Sequence, residues 1–224
     1  MTTVIVVGEG QTEETVVRDI LMPRFASREI FLESRLISTS AGTRGGALSR
    51  DRVLRFLRNT LRQRSDAYVT TFFDLYRLDR DIPGVAAAST IADPHARTGA
   101  IESALAREVI AAAECLPGRF IAHVQPYEFE GLLFSDVTAF ARVEHGWVRH
   151  EAELAKIRKQ SATPEHINDG QHTHPSSRLR QLVGPSFSKV LHGGRILEAI
   201  GLDRVRAECP HFNGWLSRIE RLES

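Results

Sequence analysis

The run Val4-Ile5-Val6-Val7, stopped by Gly8-Glu9-Gly10, constrains this chain more than any other segment. Four apolar residues in a row, all β-branched and without polar alternation, suit a strand covered on both faces, as in a parallel sheet. Parallel strands need crossover connections, usually helices, and the sequence supplies one at once. Thr12 reads as an N-cap with Glu13 and Glu14 in the first turn, and Val16, Val17, Ile20, Leu21 and Phe25 recur at helical spacing. Pro23 predicts a bend or an end near the last turn.

The pattern then repeats. Residues 31–38 read as a second strand, 39–46 as a Gly/Ser/Thr loop, and 49–64 as a helix with Leu54, Leu57 and Leu61 inward. Residues 68–73 form a strand rich in aromatic and β-branched residues, closed by Asp74. Pro83, Gly84 and Pro94 break up 76–98, an Ala-rich helix covers 99–114, and 120–124 is a short fourth strand. This alternation predicts an α/β fold with a mainly parallel four-stranded sheet flanked by helices. Beyond Leu132 the periodicity is helical, in segments near 137–142, 148–159, 176–183, 195–200 and 211–222, with a polar loop at 163–175. The expected division is an α/β core over 1–142 and a helical C-terminal lobe over 143–224 packed on it.

Composition narrows the setting. The chain has 224 residues, 42% hydrophobic and 25% charged, enough to bury a core without disulfides. Cys115 and Cys209 stand far apart and form no C-x-x-C motif, which fits a reducing, cytoplasmic setting. The amino terminus lacks the basic region of a signal peptide, and no stretch nears the ~18 apolar residues of a membrane helix. A net charge of +1 leaves nucleic-acid affinity to a local patch.

In an open parallel sheet, functional groups collect beyond the carboxyl ends of the strands. Glu9 follows the first strand, Asp74 ends the third, and Glu128 and Glu130 follow the last. Converging carboxylates repel one another unless a cation joins them, and Mg²⁺ or Mn²⁺ takes oxygen ligands of this kind. Each acid also has a plain structural role open to it. Glu9, Glu13 and Glu14 suit a helix N-terminus, Asp74 suits a turn, and Asp136 suits a helix cap. Glu128 and Glu130 share a face only in an extended segment.

The second helix carries Arg50, Arg52, Arg55, Arg58, Arg62 and Arg64, of which Arg55, Arg58 and Arg62 fall on one face. With Arg44 in the preceding loop they form a candidate nucleic-acid contact, against the plainer reading of a solvated helix face. His172, His174 and the Cys209-Pro210-His211 segment do not make a zinc spacing. Walker A, G-x-S-x-G and G-x-G-x-x-G sequences are all missing, the last because position 13 is Glu.

Five segments together resemble the domain-of-unknown-function 4276 family of bacteria: Glu9-Gly10-Gln11-Thr12-Glu13-Glu14, Phe73-Asp74-Leu75-Tyr76, Glu128 to Asp136, Pro175-Ser176-Ser177-Arg178-Leu179, and Cys209 to Leu216. That family looks like a divergent TOPRIM domain, the metal-binding fold of topoisomerases, primases and OLD-type nucleases. The resemblance implies a glutamate acting as acid or base at Glu9 and an Mg²⁺-binding D-x-D pair beginning at Asp74. Tyr76 stands at the second Asp position, so a further ligand must come from elsewhere, Glu128 or Glu130, or be absent. The resemblance also implies a partner ABC-type ATPase and a place in phage defence.

Two functions follow as expectations. One is an Mg²⁺- or Mn²⁺-dependent nuclease with Glu9 and Asp74 at its centre. The other, favoured by Tyr76, is a non-catalytic TOPRIM-like binding subunit of an ABC-type ATPase complex. A phosphohydrolase acting on nucleotides is a third reading.

Overall fold

The amino-terminal apolar run is strand β1 (Thr2–Gly8), whose residues Val4 to Val7 are each at most 1% exposed in this computed structural model. The structure describes residues 1–37, 48–168 and 173–222. They form two compact units, Met1–Gln125 with Ser217–Ser224, and Pro126–Leu216.

In the first unit β1 pairs in parallel with β2 (Ile30–Leu36) on one side and with β3 (Tyr68–Asp74) on the other. Two short strands, β4 (Phe120–Ile121) and β5 (Val124–Gln125), also run parallel to β3. The expected fourth strand is thus split at Ala122-His123. The Thr71 hydroxyl takes up both backbone groups of His123 there, donating to its carbonyl and accepting from its N–H, each at 2.8 Å. A β3 side chain thereby replaces part of the ladder.

The strand order β2-β1-β3-β4 reverses at β1. The chain adds β2 on one flank, then crosses back to add β3 on the other. The carboxyl ends of β1 and β3 therefore border the crevice where open α/β sheets place their ligands.

Helix α1 (Gln11–Val16), a π-helical turn over Val17–Leu21 and α2 (Met22–Ala26) follow β1 without a break. Thr12 is not the N-cap. Gly10 is, and Thr12 lies buried in the first turn because the Glu14 N–H already bonds the Gly10 carbonyl. The π turn sits just ahead of Pro23, whose ring would otherwise meet the carbonyl four residues back. Val16, Val17, Leu21 and Phe25 are buried as expected.

In α3 (Arg50–Gln63) the inward face is Val53, Leu57, Thr60 and Leu61, and Leu54 is only half-buried. The segment 76–98 is more ordered than its breakers suggest. It holds a 3₁₀ turn (Leu75–Arg77) and α4 (Val85–Ala88), and α5 (Pro94–Ala113) begins five residues early. Pro94 is the first residue of α5, where its missing N–H costs nothing, and Asp93 caps it by accepting the Ala96 N–H at 2.7 Å.

The second unit opens with a 3₁₀ segment (Phe129–Ser135) and continues as α6 (Ala139–Val143), α7 (Glu151–Lys159), α8 (Pro175–Val183), α9 (Lys189–Ile200), α10 (Leu202–Glu208) and the start of α11 (Pro210–Glu220), whose residues from Ser217 on belong to the first unit. The periodicity alone did not indicate α10. Phe134, Phe140, Trp147 and His192 form a chain of rings in its core. Asp136 makes a helix-entry turn, accepting from the Thr138 N–H (3.0 Å) and hydroxyl (2.7 Å) and from Arg142 (2.8 Å). Burial would raise its carboxyl, but the hydrogen bonds from Thr138 and Arg142 outweigh that and hold it below the usual range. Glu165, 1% exposed and in a 3₁₀ turn (Pro164–His166), accepts the N–H groups of His211 and Phe212, both at 2.9 Å, and so caps α11 from a distant part of the chain. Phe212, Trp215, Leu216 and Ile219 are buried along α11. Among the described residues no helix is long and apolar enough to cross a membrane.

Candidate metal site at the sheet crevice

Because Gly8 is paired with Phe72 across the sheet, Glu9 leaves β1 level with the last residues of β3. Its Oε1 accepts the backbone N–H of Asp74 at 2.9 Å, and its Oε2 lies 3.4 Å from Nε of Arg77. The Glu9 side chain is 8% exposed. Asp74 is 4% exposed and Glu13 5%.

Glu13 reaches the same place from the first turn of α1, and the two glycines explain how. A Cβ on Gly8 would stand 3.1 Å from the Glu13 Cβ, and one on Gly10 would stand 3.3 Å from Glu13 Oε2. The bare backbone lets the Glu13 side chain lie back over the turn.

Asp74 and Glu13 thus lie near enough to Glu9 for their charges to act on it. Burial, followed by the negative charges of Asp74 and Glu13, pushes the Glu9 carboxyl well above the ordinary glutamate range; the Asp74 N–H and Arg77 pull the other way without cancelling it. The donor set is entirely hard oxygen, which suits Mg²⁺ or Mn²⁺. Tyr76 lies in the 3₁₀ turn after Asp74 and is 43% exposed.

Glu128 and Glu130 belong to the second unit and have partners there. Glu128 accepts from the Ser176 N–H (3.0 Å) and hydroxyl (3.1 Å), and its Oε2 lies 3.1 Å from Nδ1 of His174. Glu130, nearly fully buried, pairs with Lys189 at 3.3 Å. The extended Glu128 backbone precedes the 3₁₀ segment that carries Glu130, so the two glutamates take different partners.

The arginines of α3 do not act as one stripe. Arg62 donates to the carbonyls of Ala112 (3.3 Å) and Ala113 (3.5 Å) and pairs with Glu114 (3.0 Å), closing the end of α5. Arg50 is paired with Glu108. Arg55 and Arg58 line a groove of about 440 Å³ with Arg50, Leu54 and Glu108, and Arg58 has only long contacts, 3.3 and 3.4 Å, to Asn59. A crossover helix runs antiparallel to its strands. The Arg50 end of α3 therefore lies toward the carboxylate edge of the sheet, and Arg62 lies roughly 10 Å beyond Arg55. Arg44 and His172 fall outside the described residues.

Two features were not singled out in the sequence. Arg77 follows the Phe73-Asp74-Leu75-Tyr76 segment without belonging to it. Glu102 and His123 are a second pairing of ligand-type residues: Glu102 Oε1 accepts the Val124 N–H at 2.9 Å and lies 3.5 Å from Nδ1 of a fully buried His123. Their separation along the chain and the split strand between β4 and β5 hid them.

The fold and site define an α/β protein with an acidic crevice at the switch point of a parallel sheet. The chain belongs to the family described as domain of unknown function (DUF4276), whose profile matches residues 8–220. No curated protein and no solved structure matches it significantly.

Proposed function

We propose that this protein is an Mg²⁺- or Mn²⁺-dependent nuclease that hydrolyses phosphodiester bonds of nucleic acid. The observation that carries this reading is Glu9, fastened to the Asp74 backbone at the end of β3 and close enough to the buried Asp74 and Glu13 for their charges to raise its carboxyl. The resemblance of its motifs to those of a TOPRIM domain supports the same assignment. Glu13 offers the further carboxylate that Tyr76 does not.

A divalent cation held by these groups would neutralise charge developing on the scissile phosphate and make water more acidic. The protein's own contribution is positional and protonic. Oε1 of Glu9 is occupied by the Asp74 N–H, which leaves Oε2 to hold a cation or carry a proton. Its raised affinity for protons suits a group that takes up and gives back a proton. Arg55 and Arg58 supply the positive groove for the nucleic-acid backbone. In this reading the protein acts in the cytoplasm, in phage defence, beside an ABC-type ATPase.

The test is metal-dependent cleavage of single- and double-stranded DNA and RNA by the purified protein. Activity should require Mg²⁺ or Mn²⁺ and disappear in Glu9→Ala. Cleavage that survives Glu9→Ala, or none on any substrate, defeats the proposal. The exposed Tyr76 at the place of a metal ligand favours a second reading, a non-catalytic subunit of the ATPase complex. Stable co-purification with the ATPase, without cleavage by the complex, selects it.

A further inference from the structure

A hollow of about 400 Å³ in the second unit lies between the last turn of α7, α10 and the end of the 3₁₀ segment. Part of its wall is apolar, from Phe134, Val137 and Ala155. The rest carries three cations, Arg158 and Lys159 from α7 and Arg204 from α10. The nuclease reading uses none of these residues.

One carboxylate shows what this wall holds. Oε2 of Glu208 accepts from Nη2 of Arg158 at 2.7 Å, and its Oε1 lies 3.1 Å from Nη2 of Arg204. Arg158 also donates through Nη1 to the Ser161 carbonyl at 2.8 Å. Its guanidinium is thus set in place before any ligand arrives, and preorganisation of this kind lowers the cost of binding. Arg204, 58% exposed, and the exposed Lys159 are the outer cations of the hollow. A guanidinium has five N–H donors and an ammonium three, more than one carboxylate and one carbonyl take up. The other acid of the wall, Asp136, is committed to Thr138 and Arg142.

The lining selects the chemistry of the ligand. A metal ion would meet three cations here, and a purely apolar molecule would bury them without partners. A phosphate group matches the guanidinium fork and the ammonium, and a compact apolar body covers the remaining wall. The volume is that of a small-molecule site, too small for a folded partner.

We propose that this hollow binds a mononucleotide, with Arg158, Lys159 and Arg204 on its phosphate and the apolar wall against its nucleoside. The site is separate from the metal-site reading and stands or falls without it.

The experiment titrates adenosine monophosphate, adenosine and inorganic phosphate into the full chain by calorimetry, in chelator so that no metal contributes. Wild type should bind one adenosine monophosphate, more tightly than either adenosine or phosphate. Arg204→Ala and Lys159→Ala should each weaken that binding about tenfold, the loss of one charge-assisted contact. Both side chains are exposed, so thermal melts should be unchanged. Lys156→Ala, on the same helix but paired with Glu153 outside the hollow, should bind like wild type. Wild type that binds no adenosine monophosphate overturns the proposal. So does adenosine or phosphate binding as tightly as the nucleotide, or nucleotide affinity unchanged when Arg204→Ala and Lys159→Ala are combined. A loss in Arg55→Ala with none in Arg204→Ala would place the phosphate in the α3 groove and overturn it as well.

Discussion

The carboxylate of Glu9 accepts the backbone N–H of Asp74 at 2.9 Å, so the side chain that ends β1 is fastened to the main chain that ends β3. That one bond spans the crevice at the reversal of strand order. It fixes one Glu9 oxygen and leaves the other beside Arg77.

The first prediction concerns pH. The folded state holds the Glu9 proton more tightly than the unfolded chain does. The stability this proton contributes is intact below the ordinary glutamate value, near 4.5, and is lost as pH rises from there through Glu9's own raised value. In chelator, the melting temperature of wild type should therefore fall across that window relative to Glu9→Gln, whose amide oxygen still accepts the Asp74 N–H. Adding Mn²⁺ should raise the wild-type melting temperature most at the alkaline side of the window. Parallel pH profiles for the two proteins would contradict the assignment.

The glycine turn makes a second prediction. Gly8→Ala would place a methyl 3.1 Å from the Glu13 Cβ within fully packed surroundings. We expect a loss of about 1–3 kcal/mol in chemical denaturation, together with weaker Mn²⁺ binding as Glu13 is pushed off the site. Gly10→Ala meets only the flexible end of Glu13, at 3.3 Å, and should weaken Mn²⁺ binding with a smaller loss of stability.

The arginines of α3 should separate by function. Arg55→Ala and Arg58→Ala should weaken binding to a nucleic-acid oligomer and lower the slope of affinity against salt by about one phosphate contact each. Arg62→Ala should leave affinity unchanged and cost about 0.5–1 kcal/mol of stability, because its guanidinium is committed to the end of α5. Anisotropy titrations at several salt concentrations, with denaturation curves, distinguish the two outcomes.

Glu165 supplies a purely structural test. Glu165→Ala strips two N–H groups of α11 of their buried acceptor and should cost about 1–3 kcal/mol in denaturant unfolding. Glu165→Gln, which keeps one acceptor oxygen, should fall between it and wild type. A neutral Glu165→Ala would show that water satisfies the helix end instead.

Local sequence carried the strands and most helices, because Val4 to Val7, Tyr68 to Phe73 and the inward face of α11 each announce their burial through their own spacing. It also pointed to Glu9 and Asp74, since strand ends are where such acids act. It misread Pro94, a residue that both breaks and starts helices, and only the Asp93 cap decides between the two. It gave Glu13 an electrostatic place in the first turn, and only the structure shows the glycine backbone that lets its side chain lie back over the turn. Arg77, Glu102 and His123 were invisible, because their neighbours are remote in sequence and become neighbours only through strand pairing. The chain's own chemistry therefore determined which segments are strands and which acids end them. The parallel register, by setting Gly8 against Phe72, decided which of those acids face one another and which cation stands beside them.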